Sequence, residues 1–169
     1  RLTDVTGVQT CALPISYTMS MTERTVGNFT YNPRYDRRHN LNLIAGYKPF
    51  DGWDVNVRWE YGSGLPFSQI IGFYDRLRFS GIFDGGGYAT EPGEPYTMLG
   101  AKNGGRLPSY HRLDISVSKE FQFEYVRLVA EASVLNVYDR KNMFYYDRST
   151  GERIDMLPIL PTVNLRVEF

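Results

Sequence analysis

The run Pro161-Thr162-Val163-Asn164-Leu165-Arg166-Val167-Glu168-Phe169 places Val163, Leu165, Val167 and Phe169 on one side of an extended strand and Thr162, Asn164, Arg166 and Glu168 on the other. Strand side chains alternate with a period of two, so this segment has one face fit for hydrocarbon and one fit for water. The alternation recurs. In residues 53–61 the odd positions are Trp53, Val55, Val57, Trp59 and Tyr61 and the even ones Asp54, Asn56, Arg58 and Glu60, which no helical period imitates. Residues 39–47 carry Leu41, Leu43, Ala45 and Tyr47 on one face. Leu113, Ile115 and Val117 alternate with Asp114, Ser116 and Ser118, and Val126, Leu128, Ala130, Ala132 and Val134 with Arg127, Val129, Glu131 and Ser133. A weaker segment sets Tyr17, Met19 and Met21 against Thr18, Ser20 and Thr22. These patterns predict an all-β chain, an antiparallel meander of about six strands without a helix.

An apolar face of this kind belongs either on the outside of a membrane barrel or, turned inward, in the core of a soluble barrel or sandwich. A Lys or Arg on a lipid face at mid-depth costs roughly 2 to 4 kcal/mol, so the placing of charge is informative. On the apolar faces the cation is Lys119, at a strand end where a long side chain snorkels to an interface. The opposite faces hold Asp54, Arg58, Glu60, Asp114, Glu120, Arg127, Glu131, Arg166 and Glu168, a mixture of signs suited to pairing across strands or to a wet lumen.

Connection lengths alternate strictly. They run long (residues 23–38), short (48–52), very long (62–109), short (121–124) and long (138–157), against ordinary hairpin loops of about 2 to 5 residues. Outer-membrane barrels share this asymmetry, with short periplasmic turns and long extracellular loops. On that polarity Phe169 ends at the periplasmic side. Tyr47, Phe50, Trp53, Phe121, Phe123 and Tyr125 gather with it at that edge, and Trp59, Tyr61, Tyr110 and Tyr138 near the other, as two aromatic girdles.

Composition narrows the functional classes. Aromatics make up 15% of the 169 residues, and no apolar run approaches about 18 residues, which excludes a helical membrane protein but leaves a barrel open. A formal net charge of +0, with no basic stripe, argues against nucleic acid as a partner. Two His and one Cys give no metal-ligand or disulfide framework. Gly85-Gly86-Gly87 lacks the Lys-Ser or Lys-Thr of a phosphate loop, and no nucleophile elbow or Cys-His pair is present. The expectation is therefore no enzyme, no cofactor and no metal site.

Val5-Thr6-Gly7-Val8-Gln9-Thr10-Cys11-Ala12-Leu13-Pro14-Ile15-Ser16 resembles, residue for residue, the translation of an adapter oligonucleotide used in short-read DNA sequencing. Residues 1–16 are accordingly read as non-native, Cys11 included, and residues 17–169 as the natural part.

Within residues 17–169, Asp36-Arg37-Arg38-His39-Asn40-Leu41-Asn42-Leu43 comes first, then residues 53–61 followed by Gly62-Ser63-Gly64-Leu65-Pro66. Next come Arg106-Leu107-Pro108-Ser109-Tyr110-His111-Arg112-Leu113-Asp114-Ile115-Ser116, Asn136-Val137-Tyr138-Asp139 and the terminal Phe169. In order and spacing these resemble the last strands of TonB-dependent outer-membrane receptors. The resemblance implies a barrel of about 22 strands, filled by an N-terminal plug, that imports a scarce nutrient of the ferric siderophore, cobalamin or glycan class by energised transport. It implies a place in the bacterial cell outer membrane, with outer-membrane lipid, a small nutrient ligand and the TonB complex as partners. The barrel-assembly machinery would act through the C-terminal strand. The present chain would supply about six strands, an open segment of the barrel, without the plug or the segment that TonB grips.

On this reading the lipid-facing residues are Leu41, Leu43, Trp53, Val55, Val57 and Trp59, then Leu113, Ile115, Val117, Leu128 and Val134, and finally Val163, Leu165 and Val167, with Phe169 as the barrel terminus. Substrate contact is expected in the longest loop, through Phe67, Phe73, Tyr74, Phe83, Tyr88 and Tyr96, because long loops carry function. Asp36, Arg38, His39, Arg106 and His111 should lie at the extracellular rim, the two His as hydrogen-bonded residues rather than ligands. Arg112 and Asp114 should brace the wall by ion pairing. Two alternatives stay open: a passive porin or small complete outer-membrane barrel, which needs at least about eight strands, and a soluble all-β binding module. The module requires Trp53, Val55, Val57, Trp59, Leu41, Leu43, Val163 and Leu165 to be buried together.

Overall fold

The computed structural model describes residues 11–75 and 95–169, and all regular structure among them is strand. In chain order, β1 (Cys11–Ala12) and β2 (Ile15–Met19) lead into a long connection holding β3 (Arg24–Val26) and β4 (Phe29–Tyr31). The hairpin of β5 (His39–Tyr47) and β6 (Trp53–Gly62) follows. The longest connection holds β7 (Pro66–Phe67), β8 (Ile70–Asp75), β9 (Pro95–Leu99) and β10 (Gly105–Arg106). A second hairpin joins β11 (Tyr110–Gln122) to β12 (Arg127–Leu135), and a third long connection with β13 (Met143–Tyr146) and β14 (Arg153–Asp155) leads to β15 (Leu160–Glu168).

The main sheet is an antiparallel meander in which β1 and β2 both flank β5, followed by β6, β11, β12 and β15. It is open: β15 pairs with β12 and β2 with β5, and among the described residues the sheet does not close into a barrel. Each segment expected from alternation is a strand here. The expectation was short at β11, which runs from Tyr110 to Gln122 instead of covering only the alternating centre. It was also displaced at β2, which starts at Ile15 inside the adapter-like segment and ends at Met19. A strand edge offers main-chain donors and acceptors to whatever chain lies alongside, and Pro14, which lacks a donor, separates β1 from β2.

Register carries the pattern across the sheet. Residues directly opposite each other share a face. One row runs Ile15, Leu43, Trp59, Leu113 and the next Ala45, Val57, Ile115, Val134. A third runs Tyr47, Val55, Val117, Ala132, Val163, a fourth Trp53, Lys119, Ala130, Leu165, and Phe121, Leu128, Val167 complete the set. All fourteen positions expected to form one apolar surface, Leu41 included, therefore lie on the same side. The other side carries Asn42, Glu60, Arg112; Ile44, Arg58, Asp114; Asn56, Ser116, Ser133, Thr162; and Asp54, Ser118, Glu131, Asn164. Charged pairs lie on that polar side, among them Arg58 with Glu60, Arg112 Nη2 to Asp114 Oδ2 at 2.8 Å, and Arg127 Nε to Glu120 Oε1 at 2.7 Å.

No second layer among the described residues covers the apolar side. Among the described residues no hydrophobic side chain is buried, and Trp53, Val163 and Leu165 remain 39%, 79% and 67% exposed. The closed core that a soluble module requires is not formed.

Short connections lie at one end of the sheet and long ones at the other, as the sequence predicts. Among the described residues the structure adds eight short strands inside the long connections, where none was expected: two- to six-residue segments carry too little periodicity to be read. At the short end Lys119 is the cation on the apolar face. Its Nζ donates to the Asp51 carbonyl at 2.9 Å and sits 5.3 Å from the centre of the Trp53 ring, so the charge turns back to the strand end. Gly52 makes that turn possible, with φ +73° and its carbonyl accepting from the Glu120 amide at 2.7 Å. A Cβ there would lie 2.8 Å from the Glu120 carbonyl oxygen, whereas at Gly72 it would meet nothing within 4 Å. Gly52→Ala should therefore cost about 1–3 kcal/mol, and Gly72→Ala within about 0.5 kcal/mol of zero. Denaturant unfolding of the two variants measures this.

Candidate functional site

The ordered polar chemistry collects at the long-connection end. β12 ends at Leu135, and Asn136, which follows at φ +55°, organises the turn through its buried side chain. Its Nδ2 donates to the carbonyls of Arg140 and Leu157 at 3.0 and 3.1 Å, and its Oδ1 accepts from the Arg140 amide at 3.1 Å. The Asn136 amide donates to Asp114 Oδ1 at 3.0 Å, while Asp114 Oδ2 takes Arg112 Nε at 3.0 Å. Arg112 and Asp114 thus brace the end of the wall, as expected. Asn142 extends the ladder with its side chain: Oδ1 accepts from the His111 amide at 3.2 Å, and Nδ2 donates to the His111 carbonyl at 2.8 Å.

A second buried anchor ties the first long connection to the longest one. Asp36 accepts the Thr22 amide at 2.9 Å and Arg106 Nη2 at 2.5 Å, while Arg106 Nη1 donates to the carbonyls of Asp36 and Gly64, each at 3.1 Å. Burial alone raises the Asp36 pKa. The bonds from Arg106 and Thr22, with the charges of Arg106 and Arg38, outweigh it and hold the carboxyl below its ordinary value. Asn103 Nδ2 also donates to the Asn32 carbonyl at 2.7 Å, and Lys102 Nζ lies 4.1 Å from the centre of the Tyr31 ring.

The two His lie on the apolar side at this end, each hydrogen-bonded to a Tyr. His39 Nδ1 is 2.8 Å from the Tyr17 hydroxyl and His111 Nδ1 is 2.7 Å from that of Tyr138. Trp59 stacks on Tyr61 at 6.1 Å and approaches His111 at 6.4 Å, so the expected aromatic cluster forms. Tyr110 belongs to this end but not to the cluster: it faces the polar side and donates to Glu60 Oε2 at 3.3 Å.

All three long connections border one cleft of about 610 Å³. Its base is Leu65, the buried Pro66 and Leu107. Phe67 meets Tyr146 at 5.8 Å on one wall, and Phe144 meets Tyr145 edge-on at 5.2 Å on another. The register of β13 shifts between Met143 and Tyr145. Such a bulge re-aims a side chain, and it explains why the consecutive Phe144, Tyr145 and Tyr146 all line the same space. Arg34 and Arg148 stand beside it. Asp147, next to Arg148, is occupied within its own turn, accepting from the Ser149 hydroxyl at 2.6 Å and the Ser149 amide at 2.8 Å. Those bonds hold its carboxyl below the ordinary pKa.

Of the residues expected to contact substrate, Phe67 and Phe73 line the cleft. Tyr74 and Tyr96 instead pack on each other at 6.0 Å across the β8–β9 hairpin. Phe83 and Tyr88 lie outside the described residues. Sequence reasoning missed Arg34, Arg148 and the run Phe144-Tyr145-Tyr146, although three consecutive aromatics in a polar connection were a visible signal. Comparisons with protein-family models, with curated proteins and with solved structures found no match to the chain.

The Asp36 clamp sets a pH dependence. Its pKa is depressed in the folded chain, so its contribution is complete above the unfolded value near 3.8 and is lost as pH falls through the lower folded value. Asp36→Asn should remove that acid-sensitive component and lower stability at pH 7 by roughly 1 kcal/mol, allowing for the partly exposed Arg106. Thermal unfolding of both proteins between pH 2 and 7 reads both effects.

Proposed function

We propose that residues 17–169 are the C-terminal part of the barrel of a TonB-dependent outer-membrane receptor, which imports a scarce nutrient by energised transport. The observation that carries this reading is the continuous apolar face spanning β2 to β15, with the paired charges on the opposite face and no layer packed over it. A soluble monomer seldom exposes a contiguous apolar patch of more than about a few hundred square ångströms. A bilayer would solvate such a face, and the open edges at β15 and β2, which hydrocarbon does not tolerate unpaired, would be met by further strands of the receptor barrel.

The end-to-end asymmetry supports the same reading. Short turns with Tyr47, Phe50, Trp53, Phe121 and Tyr125 form one border and the long connections the other. In an outer membrane the first border is periplasmic and the second extracellular. Lys119, folded back to the turn, suits an interface. The order of motifs from Asp36 to Phe169 supports the family by resemblance, and the sheet would contribute about six strands of a barrel of about 22. Nutrient would be met at the extracellular rim. Energy would come from the TonB complex through parts of the receptor outside this stretch.

A passive porin or small complete barrel would need closure by at least about eight strands, whereas this sheet is open at β15 and at β2.

Val57 sits mid-strand on the apolar side and Asn56 beside it on the polar side, opposite Gly46 and Ser116. Val57→Arg should destabilise the protein in lipid vesicles by about 2–4 kcal/mol, and Asn56→Arg by less than about 1 kcal/mol. Urea unfolding in vesicles measures the difference. Equal costs would reject the assignment of faces.

A further inference from the structure

We infer that the cleft between the β7–β10 and β13–β14 hairpins binds a small organic anion with a flat, unsaturated body. The inference rests on the receptor reading only for the side from which the ligand arrives. The site itself is read from its walls.

Size comes first. A volume of about 610 Å³ falls within the range of about 300–1,000 Å³ typical of small-molecule sites. The walls then select the body of the ligand. Phe73, Phe144, Tyr145 and Tyr146 are 54%, 59%, 45% and 37% exposed, although all border the same cavity. Aromatic rings left open around one space present faces and edges for stacking. The hydroxyls of Tyr145 and Tyr146 make no hydrogen bond to the described residues, so they remain available at the margin.

Charge selects the rest. Arg34 and Arg148 border the cleft, and no Asp or Glu among the described residues lines it. Neither guanidinium has an ion-pair partner among the described residues. Asp147, the carboxylate nearest Arg148 in the chain, is turned into its own Ser149 and Thr150 amides at 2.8 and 3.4 Å. Two guanidiniums without an ion-pair partner among the described residues, beside apolar rings, favour a carboxylate or similar planar anion, which takes paired N–H donors while its ring lies on the aromatics.

The cleft is also held in shape before any ligand arrives. Thr97 Oγ1 donates to the Arg148 carbonyl at 2.9 Å, and Arg106 and Asn103 fix the other side through Asp36 and Asn32. Preorganisation of this kind lowers the ordering cost of binding.

The test is calorimetric titration of the full chain, folded in detergent micelles, with 2-naphthoate and with its uncharged analogue 2-naphthamide. Naphthoate should bind at least about tenfold tighter than the amide. Arg34→Gln and Arg148→Gln should each weaken naphthoate several-fold and leave the amide unchanged, while Phe144→Ala should weaken both. Both arginines are exposed and make no ion pair with the described residues, so these variants keep the fold, which circular dichroism checks. Equal affinity for the two probes, binding of neither, or naphthoate affinity unchanged in the Arg34→Gln/Arg148→Gln double variant would overturn the inference. Because no bilayer enters this measurement, its failure leaves the membrane assignment standing, and failure of the Val57→Arg comparison leaves the cleft standing.

Discussion

Everything in this molecule depends on one main-chain ladder that keeps a single register from β2 to β15. The period of a strand is two, and a slip of one residue would carry every apolar side chain to the other face. Since register holds, Trp59, Val57, Val55 and Trp53 on β6 align with Leu113, Ile115, Val117 and Lys119 on β11, and the apolar face stays continuous. No helix and no second sheet packs on it among the described residues. Hydrophobic burial, the dominant favourable term in ordinary folding, is therefore not supplied to this face by the described residues. That shortfall is the physical content of the membrane reading.

Order at the loop end comes from polar rather than apolar burial. Asp36, Asn136 and Asn142 are the buried polar side chains among the described residues, and each sits where a long connection meets the sheet. Each satisfies main-chain groups that the ladder leaves unpaired: Asp36 that of Thr22, Asn136 those of Arg140 and Leu157, and Asn142 those of His111. Leaving such groups unsatisfied is costly, so these side chains fix where the connections leave the strands. The cleft inherits its shape from those anchors, and Arg148 is held beside it through its carbonyl, which accepts from Thr97 Oγ1.

The wall was legible in the sequence because one physical cause, alternation, produced it. Residues 39–47 and 53–61 read directly as β5 and β6, and Lys119 read as a strand-end cation before its bond to Asp51 was seen. Arg112 and Asp114 read as a brace. The rim was much less legible. β7 and β10 are two residues each, and the alignment of Arg106 with Asp36 depends on two loops returning to one place, which no local pattern encodes. Tyr74 and Tyr96 were assigned to ligand contact from composition, but cross-strand pairing turns them onto each other. Phe144 and Tyr145 gained their position from a bulge, whose register shift is invisible in a sequence.

The most direct test of the account is depth-resolved fluorescence quenching in vesicles, because the two Trp residues, Trp53 and Trp59, lie on the apolar face near its opposite ends. They are separated along β6 by about 20 Å at strand rise, close to the height of about 25 Å expected for a lipid-facing band. The account predicts that lipids brominated on the acyl chains quench both Trp53 and Trp59, and that acrylamide in the water quenches neither efficiently. Strong acrylamide quenching with no effect of brominated lipid would contradict it, because the apolar face would then be turned to water.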